Sequence, residues 1–351
     1  MKEIVLISNK IFHYRVSVYN KFSEYFKSEG YDFSVFTNQI DSYASEAKFH
    51  HQLSEITFSK CISYLKSKNP AAVILFLHLK DFAIFPLTLY LKVKRIPFIY
   101  WNHGINLMDP NNTIKNSVFH YIHRLSDAII LYSGNEKKYI PTKHRKKVFI
   151  ANNTLNFEDF SDIKSSKSQL KADKKIPFRK IVLYVGRILH YKRLDVLLNI
   201  FSRIENTAYG LIVIGDGLEA RQKEMLDNIS NATYLGPIYD AETINEYFYL
   251  ADIFCIPGAI GLSVNQAMYW GAPVLTIDGL HGPEVSYIKN GENGYIAKNE
   301  AELHELIIKL LEDDCLRRKL SINAKNEMRH EGSLNKMFDG FRKAIHYVEE
   351  H

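Results

Sequence analysis

The sequence predicts an α/β protein with two doubly wound, Rossmann-like domains that face a central cleft. Three observations support this fold class. The chain has 351 residues, which is too long for one ordinary core. Short apolar runs alternate with helical stretches, as they do in parallel sheets covered on both faces. The alternation stops at a polar segment rich in Ser and Lys, 157–180, and then starts again.

In the first half, apolar runs predict strands at 3–8, 32–38, 71–78, 98–104, 128–134 and 148–153. A helix is predicted over 15–30, because its apolar residues recur at helical spacing and Gly30 gives a stop. The most apolar stretch, 71–93, is interrupted by Lys80, Asp81 and Pro86. It therefore does not predict a transmembrane helix.

In the second half, apolar runs predict strands at 180–187, 209–217, 231–238, 251–258 and 272–278. Amphipathic helices are predicted at 302–313, 315–328 and 333–350. The segment 157–180 is predicted to be a linker. We therefore expect an N-terminal domain over 1–165 and a C-terminal domain over 166–332, followed by a last helical segment, 333–351.

Charge is distributed unevenly along the chain, which carries +6 overall. Residues 1–150 hold 21 Lys and Arg against 11 Asp and Glu, whereas the remainder holds 24 against 28. Basic clusters occur at 92–95, 137–138 and 143–147. They are either solvated surface or a face that meets an anionic membrane or a lipid-linked phosphate. A nucleic-acid partner is not expected, because no nucleic-acid-binding motif accompanies the charge.

Cysteine usage predicts a reducing compartment. The three cysteines, Cys61, Cys255 and Cys315, form no CxxC pair, so neither a disulfide framework nor a zinc site is expected. The first residues lack the layout of a signal peptide. We expect a cytoplasmic protein.

Basic residues lie on both sides of the turn between a predicted strand and a predicted helix in the segment 184–201. Gly186 and Arg187 end the predicted strand, and Lys192 and Arg193 begin a predicted helix. A helix N-terminus favours anions, and two cations beside it would form a diphosphate site. The alternative is an ordinary pair of surface cations.

The turn GDGLEA, 215–220, fits the loose form of a dinucleotide-binding fingerprint. An NAD(P)-dependent oxidoreductase is therefore an alternative function. The turn is not in the first βα unit of either half, and no acidic residue follows at the next strand end to hold a ribose. A tight glycine turn is the favoured interpretation.

Other polar side chains also follow predicted strands. His103 can donate a hydrogen bond to a bound hydroxyl, or it can be a packed or surface histidine. Tyr14 and Arg15 lie at the first strand-to-helix turn, where an anion or a sugar could bind. Glu284 follows the strand 272–278. Ser133 ends the strand 128–134 and is either another polar residue of the site or an ordinary helix cap.

The motifs together resemble a known family. VGR…KR, IGDG, PGAIGLSVNQAMYWGAPVLTID and HGPE…NGENGYIA occur in the order and spacing of glycosyltransferases of GT-B fold, family 4. HYRVSVYNKF, WNHG and ANNTLNF fit its bacterial, nucleotide-sugar-dependent members, many of which build surface polysaccharides or lipid-linked glycans. The resemblance covers nearly the whole chain and is closest over 180–300.

The resemblance implies an activity and its partners. A sugar would pass, with retention, from a UDP- or GDP-linked donor to a glycan or lipid-linked saccharide, without an obligatory metal or other cofactor. The N-terminal domain would bind the acceptor and rest on the inner face of the cytoplasmic membrane. The C-terminal domain would bind the nucleotide sugar, and helix 333–351 would pack back on the N-terminal domain.

The resemblance also implies residue roles. Arg187 and Lys192 would hold the donor diphosphate and stabilise it as leaving group, and His103 would contact the donor sugar. The acceptor side would include Tyr14 and Arg15. The other residues expected to bind the donor are Gly186, Gly261, Leu262, Ser263, Gln266 and Glu284.

The sequence departs from the family at two positions. Gly258 and Gln266 stand where the family has a pair of glutamates. Gln266 can still accept a hydrogen bond from a ribose hydroxyl. Gly258 is interpreted as a lost side chain, with Glu284 and His281 as candidate replacements. The alternatives are a donor that lacks this contact and a non-catalytic protein that binds nucleotide sugars or glycans.

Overall fold

The computed structural model describes residues 1–41, 45–107 and 109–351. It divides into two compact units. The first consists of Met1–Asn156 together with Leu334–His351, and the second is Phe157–Ser333. The division after Asn156 lies a few residues before the expected boundary at 165.

The first unit is built on a seven-stranded parallel sheet of order β3-β2-β1-β4-β5-β6-β7. Leu6 in β1 pairs with Val35 in β2 on one side and with Ile74 in β4 on the other, and all three are buried. The strands are β1 (Lys2–Ile11), β2 (Tyr31–Ile40), β3 (His50–Leu53), β4 (Ala72–Phe76), β5 (Phe98–Asn102), β6 (Ala128–Leu131) and β7 (Val148–Ile150). The helices between them are α1 (His13–Ser28), α2 (Phe58–Lys68), α3 (Ile84–Lys94) and α4 (Thr113–Leu125).

The second unit contains a six-stranded parallel sheet of order β10-β9-β8-β11-β12-β13. Its strands are β8 (Lys180–Val185), β9 (Tyr209–Ile214), β10 (Ala232–Tyr234), β11 (Ile253–Cys255), β12 (Val274–Ile277) and β13 (Gly294–Ala297). Its helices are α5 (Lys167–Asp173), α6 (Leu194–Phe201), α7 (Ala220–Asp227), α8 (Ala241–Leu250), α9 (Ser263–Trp270), α10 (Glu300–Glu312) and α11 (Asp314–His330).

The linker prediction for 157–180 is wrong. This segment contains α5, and Leu170 and Phe178 are buried in the core of the second unit. Phe157 stacks on Tyr269 with 4.5 Å between ring centroids. The apolar residues in this polar stretch are few, but they anchor it to the second unit.

The last helix, α12 (Leu334–Glu350), packs on the first unit as expected. Phe338 contacts Phe26 at 4.8 Å between ring centroids, and Phe341 contacts Trp101 at 4.9 Å. A side chain on Gly340 would overlap the backbone oxygen of Ile150, so a glycine lets the helix approach β7.

The α/β fold class with two Rossmann-like sheets is confirmed. In each sheet the strand order reverses beside the first strand, between β1 and β4 and between β8 and β11. Ligands of such sheets bind at the carboxyl ends of the strands near this reversal. Within the described ranges, none of the helices is long and apolar enough to span a bilayer. The three cysteines are free thiols, and Cys61 and Cys255 are buried.

Candidate functional site

Two glycine-containing turns pack together at the carboxyl ends of β8 and β9. The backbone N–H of Ile188 donates to the oxygen of Asp216 at 2.6 Å. A side chain on Gly215 would overlap the oxygen of Gly186, and one on Gly217 would lie 2.7 Å from the oxygen of Ile188. The structure thus confirms the interpretation of GDG as a tight glycine turn, and this turn supports the backbone on which Arg187 lies.

Arg187 and Lys192 lie near one another at this end of the sheet. Arg187 is exposed and has neither an ion pair nor a hydrogen bond within the described part of the chain. The Lys192 ammonium donates to the oxygen of Ala259 at 3.1 Å. A Cβ on Gly186 would lie 3.6 Å from the Lys192 Nζ. These contacts place the lysine between the ends of β8 and β11.

The local structure around Lys192 differs from the prediction that it begins a helix. Lys192 ends a short 3-10 turn, His190–Lys192. Arg193 then takes a left-handed backbone conformation, with φ of 57°, before α6 starts. The chain therefore reverses at Arg193, and Lys192 is held by the turn in front of the helix.

The electrostatics of Lys192 indicate a site that favours an anion. Burial lowers the pKa of its ammonium, the Glu284 carboxylate opposes this shift, and the nearby Arg187 guanidinium lowers the pKa further. Two like charges held close together repel each other. A bound anion would offset that repulsion and favour the charged lysine.

Gly258 is required by a close backbone approach. Its N–H donates to the oxygen of Lys192 at 3.1 Å, and the N–H of Ala259 donates to the oxygen of Tyr191 at 2.9 Å. A Cβ at position 258 would overlap the Tyr191 oxygen and lie 2.8 Å from the Lys192 Cα. The interpretation of Gly258 as a lost side chain is corrected, because the fold has no room for a side chain there.

The loop after β11 ends in three backbone N–H groups at the start of a helix. The N–H groups of Gly261, Leu262 and Ser263 donate no hydrogen bond within the described ranges, and all three residues are partly exposed. They precede and open α9, whose N-terminus carries partial positive charge. A Cβ on Gly261 would meet no atom within 4 Å, so the space beside this residue is open. These donors can bind an anion.

Gln266 lies one turn into α9 and faces α8. Its Nε2 donates to Asn245 Oδ1 at 2.8 Å, and the Trp270 indole donates to the same oxygen at 2.9 Å. The Asn245 side chain is buried, whereas Gln266 is only partly buried. Sequence reasoning found neither Asn245 nor Trp270.

Glu284 and His281 follow β12, but they have different environments. Glu284 is buried, and a Cβ on Gly282 would lie 2.5 Å from its Oε2. The charge of the Glu284 carboxylate raises the pKa of the Lys192 ammonium, so the carboxylate lies near that cation. His281 Nε2 donates to the oxygen of Ile277 at 2.9 Å, and burial lowers the pKa of this imidazole. The histidine is thus tied to the end of β12.

In the first unit, His103 follows β5 and is held by a buried carboxylate. Its Nδ1 lies 2.7 Å from Glu136 Oε1, and its ring stacks on Tyr132 at 4.4 Å. Glu136 Oε2 accepts hydrogen bonds from the N–H groups of Tyr132 and Ser133 at 2.8 and 3.1 Å. A carboxylate that accepts these bonds assigns the Nδ1 proton to His103 and leaves Nε2 free to contact a ligand.

Glu136 was missed by sequence reasoning. The signal that identifies it is SGNE, 133–136, which fits the S-x-x-E pattern of a capping box. The structure shows this capping box at the start of the 3-10 helix Gly134–Tyr139. The interpretation of Ser133 as a cap is confirmed, and the same box supplies the carboxylate that orients His103.

The backbone turn that carries His103 is held from α4. Asn102 Oδ1 accepts hydrogen bonds from the Gly104 N–H and from His123 Nε2. Gly104 takes a φ of +82°, which favours glycine. His123 is fully buried, and burial together with the neighbouring cations lowers its pKa to about 3.

Tyr14 and Arg15 do not share one environment. Arg15 is 4% exposed, donates to Asn153 Oδ1, and places its guanidinium 5.1 Å from the centre of the Trp101 ring. Tyr14 is partly exposed and stacks on Phe12 at 5.8 Å. Arg15 is expected on the acceptor side from the sequence. In the structure it is instead a buried cation inside the first unit.

Two sets of predicted residues are therefore brought together, one within each unit. The second unit gathers Gly186, Arg187, Lys192 and Glu284 near the loop that carries Gly261, Leu262 and Ser263. The first unit gathers His103 and Tyr14 around the buried Arg15 and Tyr132. Among the described residues, no group of three or more His, Cys, Asp or Glu side chains is arranged to hold a metal ion.

Comparison with known families finds a match within the second unit. Residues 166–327 match the family model described as glycosyl transferases group 1. The match covers less than half of the chain. The matched range contains every residue assigned above to the anion site, and the resemblance to GT-B glycosyltransferases inferred from the motifs is confirmed.

Several solved structures share the fold of the whole chain. A glycosyltransferase from Rickettsia africae has a TM-score of 0.77 at 17% identity, with 100% of this chain and 99% of that chain covered. Anabaena HepE in complex with UDP has a TM-score of 0.76 at 14% identity, with 98% and 99% covered. WaaG, a glycosyltransferase involved in lipopolysaccharide biosynthesis, has a TM-score of 0.68 at 15% identity, with the same coverage. At these identities the likeness shows the fold.

Two protein sequences are similar over part of the chain. An uncharacterised 41.2 kDa protein in the cps region of Klebsiella pneumoniae is 26% identical over 221 residues, which span 59% of each chain. An uncharacterised glycosyltransferase of Methanocaldococcus jannaschii is 22% identical over 273 residues, which span 72% of this chain and 69% of that protein. The match to the Klebsiella protein thus leaves a large part of both chains unaligned.

Proposed function

We propose that the protein transfers a sugar from a nucleoside-diphosphate donor, UDP- or GDP-linked, to a hydroxyl of a glycan or lipid-linked saccharide, with retention of configuration. The observation that supports this best is the pairing of Arg187 and Lys192 beside the N–H groups at 261–263, which donate no hydrogen bond among the residues that the structure describes. Such a set of donors and cations matches a diphosphate. UDP is the first candidate, because HepE, which has the same fold, was solved with UDP.

The chemistry follows from where charge develops. The bond between the anomeric carbon and the diphosphate oxygen breaks, and negative charge grows on the leaving phosphate. This charge would be stabilised by two fixed cations, Arg187 and Lys192, and by the N–H dipoles at 261–263. The acceptor hydroxyl attacks the face of the sugar from which the diphosphate leaves, and it passes its proton to the leaving phosphate. His103, with Nε2 free, would contact the donor sugar, and Tyr14 would lie on the acceptor side.

The test is nucleotide-sugar turnover with a matched pair of arginine variants. Purified protein is incubated with UDP-glucose or GDP-mannose and a saccharide acceptor, and the released nucleoside diphosphate is measured. Arg187→Ala should lower turnover about 10²-fold, which is the cost of losing one group that stabilises developing charge. Arg203→Ala removes an exposed arginine that lies after α6 and should have no effect. Equal turnover of both variants contradicts the proposal, and proton NMR of the product assigns retention or inversion.

A second candidate is a non-catalytic protein that binds nucleotide sugars. It is favoured by Gly258, where the family places a glutamate and this fold excludes a side chain. This candidate predicts that the wild-type protein binds a nucleotide sugar without turning it over. Slow hydrolysis of UDP-glucose by the wild-type protein, absent in Arg187→Ala, contradicts it.

The NAD(P)-dependent alternative has less support. The glycines of the GDG turn allow close packing on the turn that holds Arg187, so the structure itself requires them. Titration with NADPH, followed by its fluorescence, should show no binding.

We also propose a role in surface polysaccharide synthesis at an anionic membrane. The Klebsiella relative is in the cps region, and WaaG is involved in lipopolysaccharide biosynthesis. On α3 and the turn before it, Phe82, Leu89 and Val93 are 80%, 59% and 71% exposed. The basic side chains of Lys92, Lys94 and Arg95 are exposed beside them. An apolar row flanked by cations suits the headgroup region of an anionic bilayer.

A further inference from the structure

Three side chains on α8 and α9 form a hydrogen-bonded group whose donor and acceptor roles are fixed. The Trp270 indole N–H can only donate, and it lies 2.9 Å from Asn245 Oδ1. This contact assigns the oxygen of the Asn245 amide to the side that faces α9. Gln266 approaches the same oxygen at 2.8 Å, so it must present its NH₂ group there.

A glutamate at position 266 would not fit this arrangement. An ionised carboxylate only accepts hydrogen bonds, so it would face the Asn245 oxygen acceptor to acceptor. If Asn245 turned its NH₂ toward the carboxylate, that NH₂ would meet the indole N–H of Trp270. Either arrangement leaves a buried polar group unsatisfied, which is costly.

We propose that Trp270 and Asn245 select a glutamine at position 266 and direct its Oε1 outward as an uncharged acceptor for the hydroxyl groups of the donor nucleoside. The side chain is partly exposed, and its Oε1 has no hydrogen-bond partner within the described part of the chain. The selection of glutamine depends only on the contacts within the second unit. The identity of the ligand rests on the proposed function.

Trp270 is well placed to act as a positioning residue. Its ring contacts Tyr269 at 5.2 Å, Tyr249 at 5.7 Å and Phe160 at 6.4 Å between centroids. These aromatic neighbours hold the indole in one orientation. A phenylalanine at this position keeps an aromatic ring among them and removes only the N–H donor.

The first measurement is the melting temperature of four proteins: wild type, Gln266→Glu, Trp270→Phe and the double variant. Gln266→Glu should lower Tm by about 3–6 °C when Trp270 is present, the size expected for one unsatisfied buried group in a unit of this length. The same change in the Trp270→Phe protein should lower Tm by less than about 1 °C, because Asn245 can then turn and donate to the carboxylate. An equal drop in both backgrounds overturns the selection of glutamine.

The second measurement compares the affinity for UDP with that for 2′,3′-dideoxy-UDP. Wild type should bind the dideoxy analogue about tenfold more weakly, the cost of one lost hydrogen bond. Gln266→Leu should bind both ligands with equal affinity. If wild type does not distinguish the two ligands, the outward acceptor role is wrong. If neither UDP nor GDP binds while the coupling in Tm persists, the proposed function fails and the selection of glutamine stands.

Discussion

The N–H of Gly258 donates to the backbone oxygen of Lys192 at 3.1 Å, so the loop after β11 is tied to the turn that holds the lysine. The adjacent bond from Ala259 to Tyr191 reinforces this contact. The Lys192 ammonium then returns to the oxygen of Ala259. Three hydrogen bonds therefore hold the cation at a fixed place beside the loop. The absence of a side chain at position 258 is a condition for this arrangement.

A side chain at position 258 should destabilise the second unit. Gly258→Ala places a Cβ against backbone atoms of Tyr191 and Lys192, which cannot move without breaking these bonds. We expect a loss of about 3 kcal/mol in the free energy of unfolding, measured by urea denaturation. Gly261→Ala is the control, because its Cβ meets no atom within 4 Å and should change stability little. Equal stability of the two variants would show that the loop is not tied to the lysine turn.

Loss of the buried carboxylate should impair the orientation of His103. In Glu136→Gln, one amide oxygen cannot serve both the two backbone N–H groups and the His103 Nδ1–H. We expect kcat to fall about 10²-fold with little change in the KM for the donor, because the ring is misplaced and not removed. His103→Ala and the double variant should have nearly equal rates. Additive losses in the double variant would show that Glu136 acts independently of the histidine.

The buried His123 should make folding stability depend on pH. Its pKa is lowered from 6.5 to about 3 in the folded protein, so below pH 6.5 the unfolded chain takes up a proton that the folded chain does not. The stabilisation that comes from keeping His123 neutral is therefore complete above pH 6.5, and it is lost as the pH falls toward 3. Between pH 7 and pH 5 the wild type should lose about 2 kcal/mol more than His123→Gln. Parallel losses in the two proteins, measured by urea denaturation at each pH, would contradict this role of His123.

The exposed row on α3 should determine binding to anionic membranes. The double variant Leu89→Glu with Val93→Glu replaces two exposed apolar side chains with carboxylates, which an anionic membrane surface repels. Its partitioning onto phosphatidylglycerol-containing vesicles should fall at least about tenfold in a sedimentation assay. Ile322→Glu, on an exposed face of α11 that is 61% accessible, is the control and should bind like wild type. If the wild type binds equally well to vesicles of phosphatidylcholine alone, the proposed preference for an anionic membrane is wrong.

Apolar runs predicted most of the fold, and the exceptions share a physical reason. The strand β3 was missed because all four of its side chains are exposed, so it has no apolar run. β13 was missed because the two NG turns beside it dominate the local pattern, although Gly294 pairs with Val274 in the sheet. Edge strands gain their order from one neighbouring strand, which a local pattern does not reveal.

The sequence predicted the positions of the candidate residues in the fold better than it predicted their surroundings. Arg187, Lys192 and His103 stand at strand ends, where the order of apolar runs places them. Gly258 was misinterpreted because the backbone that excludes its side chain belongs to residues far earlier in the chain. Asn245 lies 21 residues before the glutamine it binds, and no motif links the two. Such contacts arise only when the helices pack.

The affinity for UDP of a matched pair of lysine variants tests the proposed diphosphate site most directly. Lys192 and Lys167 both donate to a backbone oxygen, that of Ala259 and that of Ala251, and burial lowers the pKa of each. Lys167 contacts Ala251, which lies two residues before β11, and not the loop after that strand. By titration calorimetry, Lys192→Met should bind UDP about 10²-fold more weakly than wild type, because a charge-assisted contact to phosphate is lost. Lys167→Met should bind UDP as wild type does. Unchanged UDP affinity in Lys192→Met, or an equal loss in Lys167→Met, would contradict the assignment of Lys192 to the donor diphosphate.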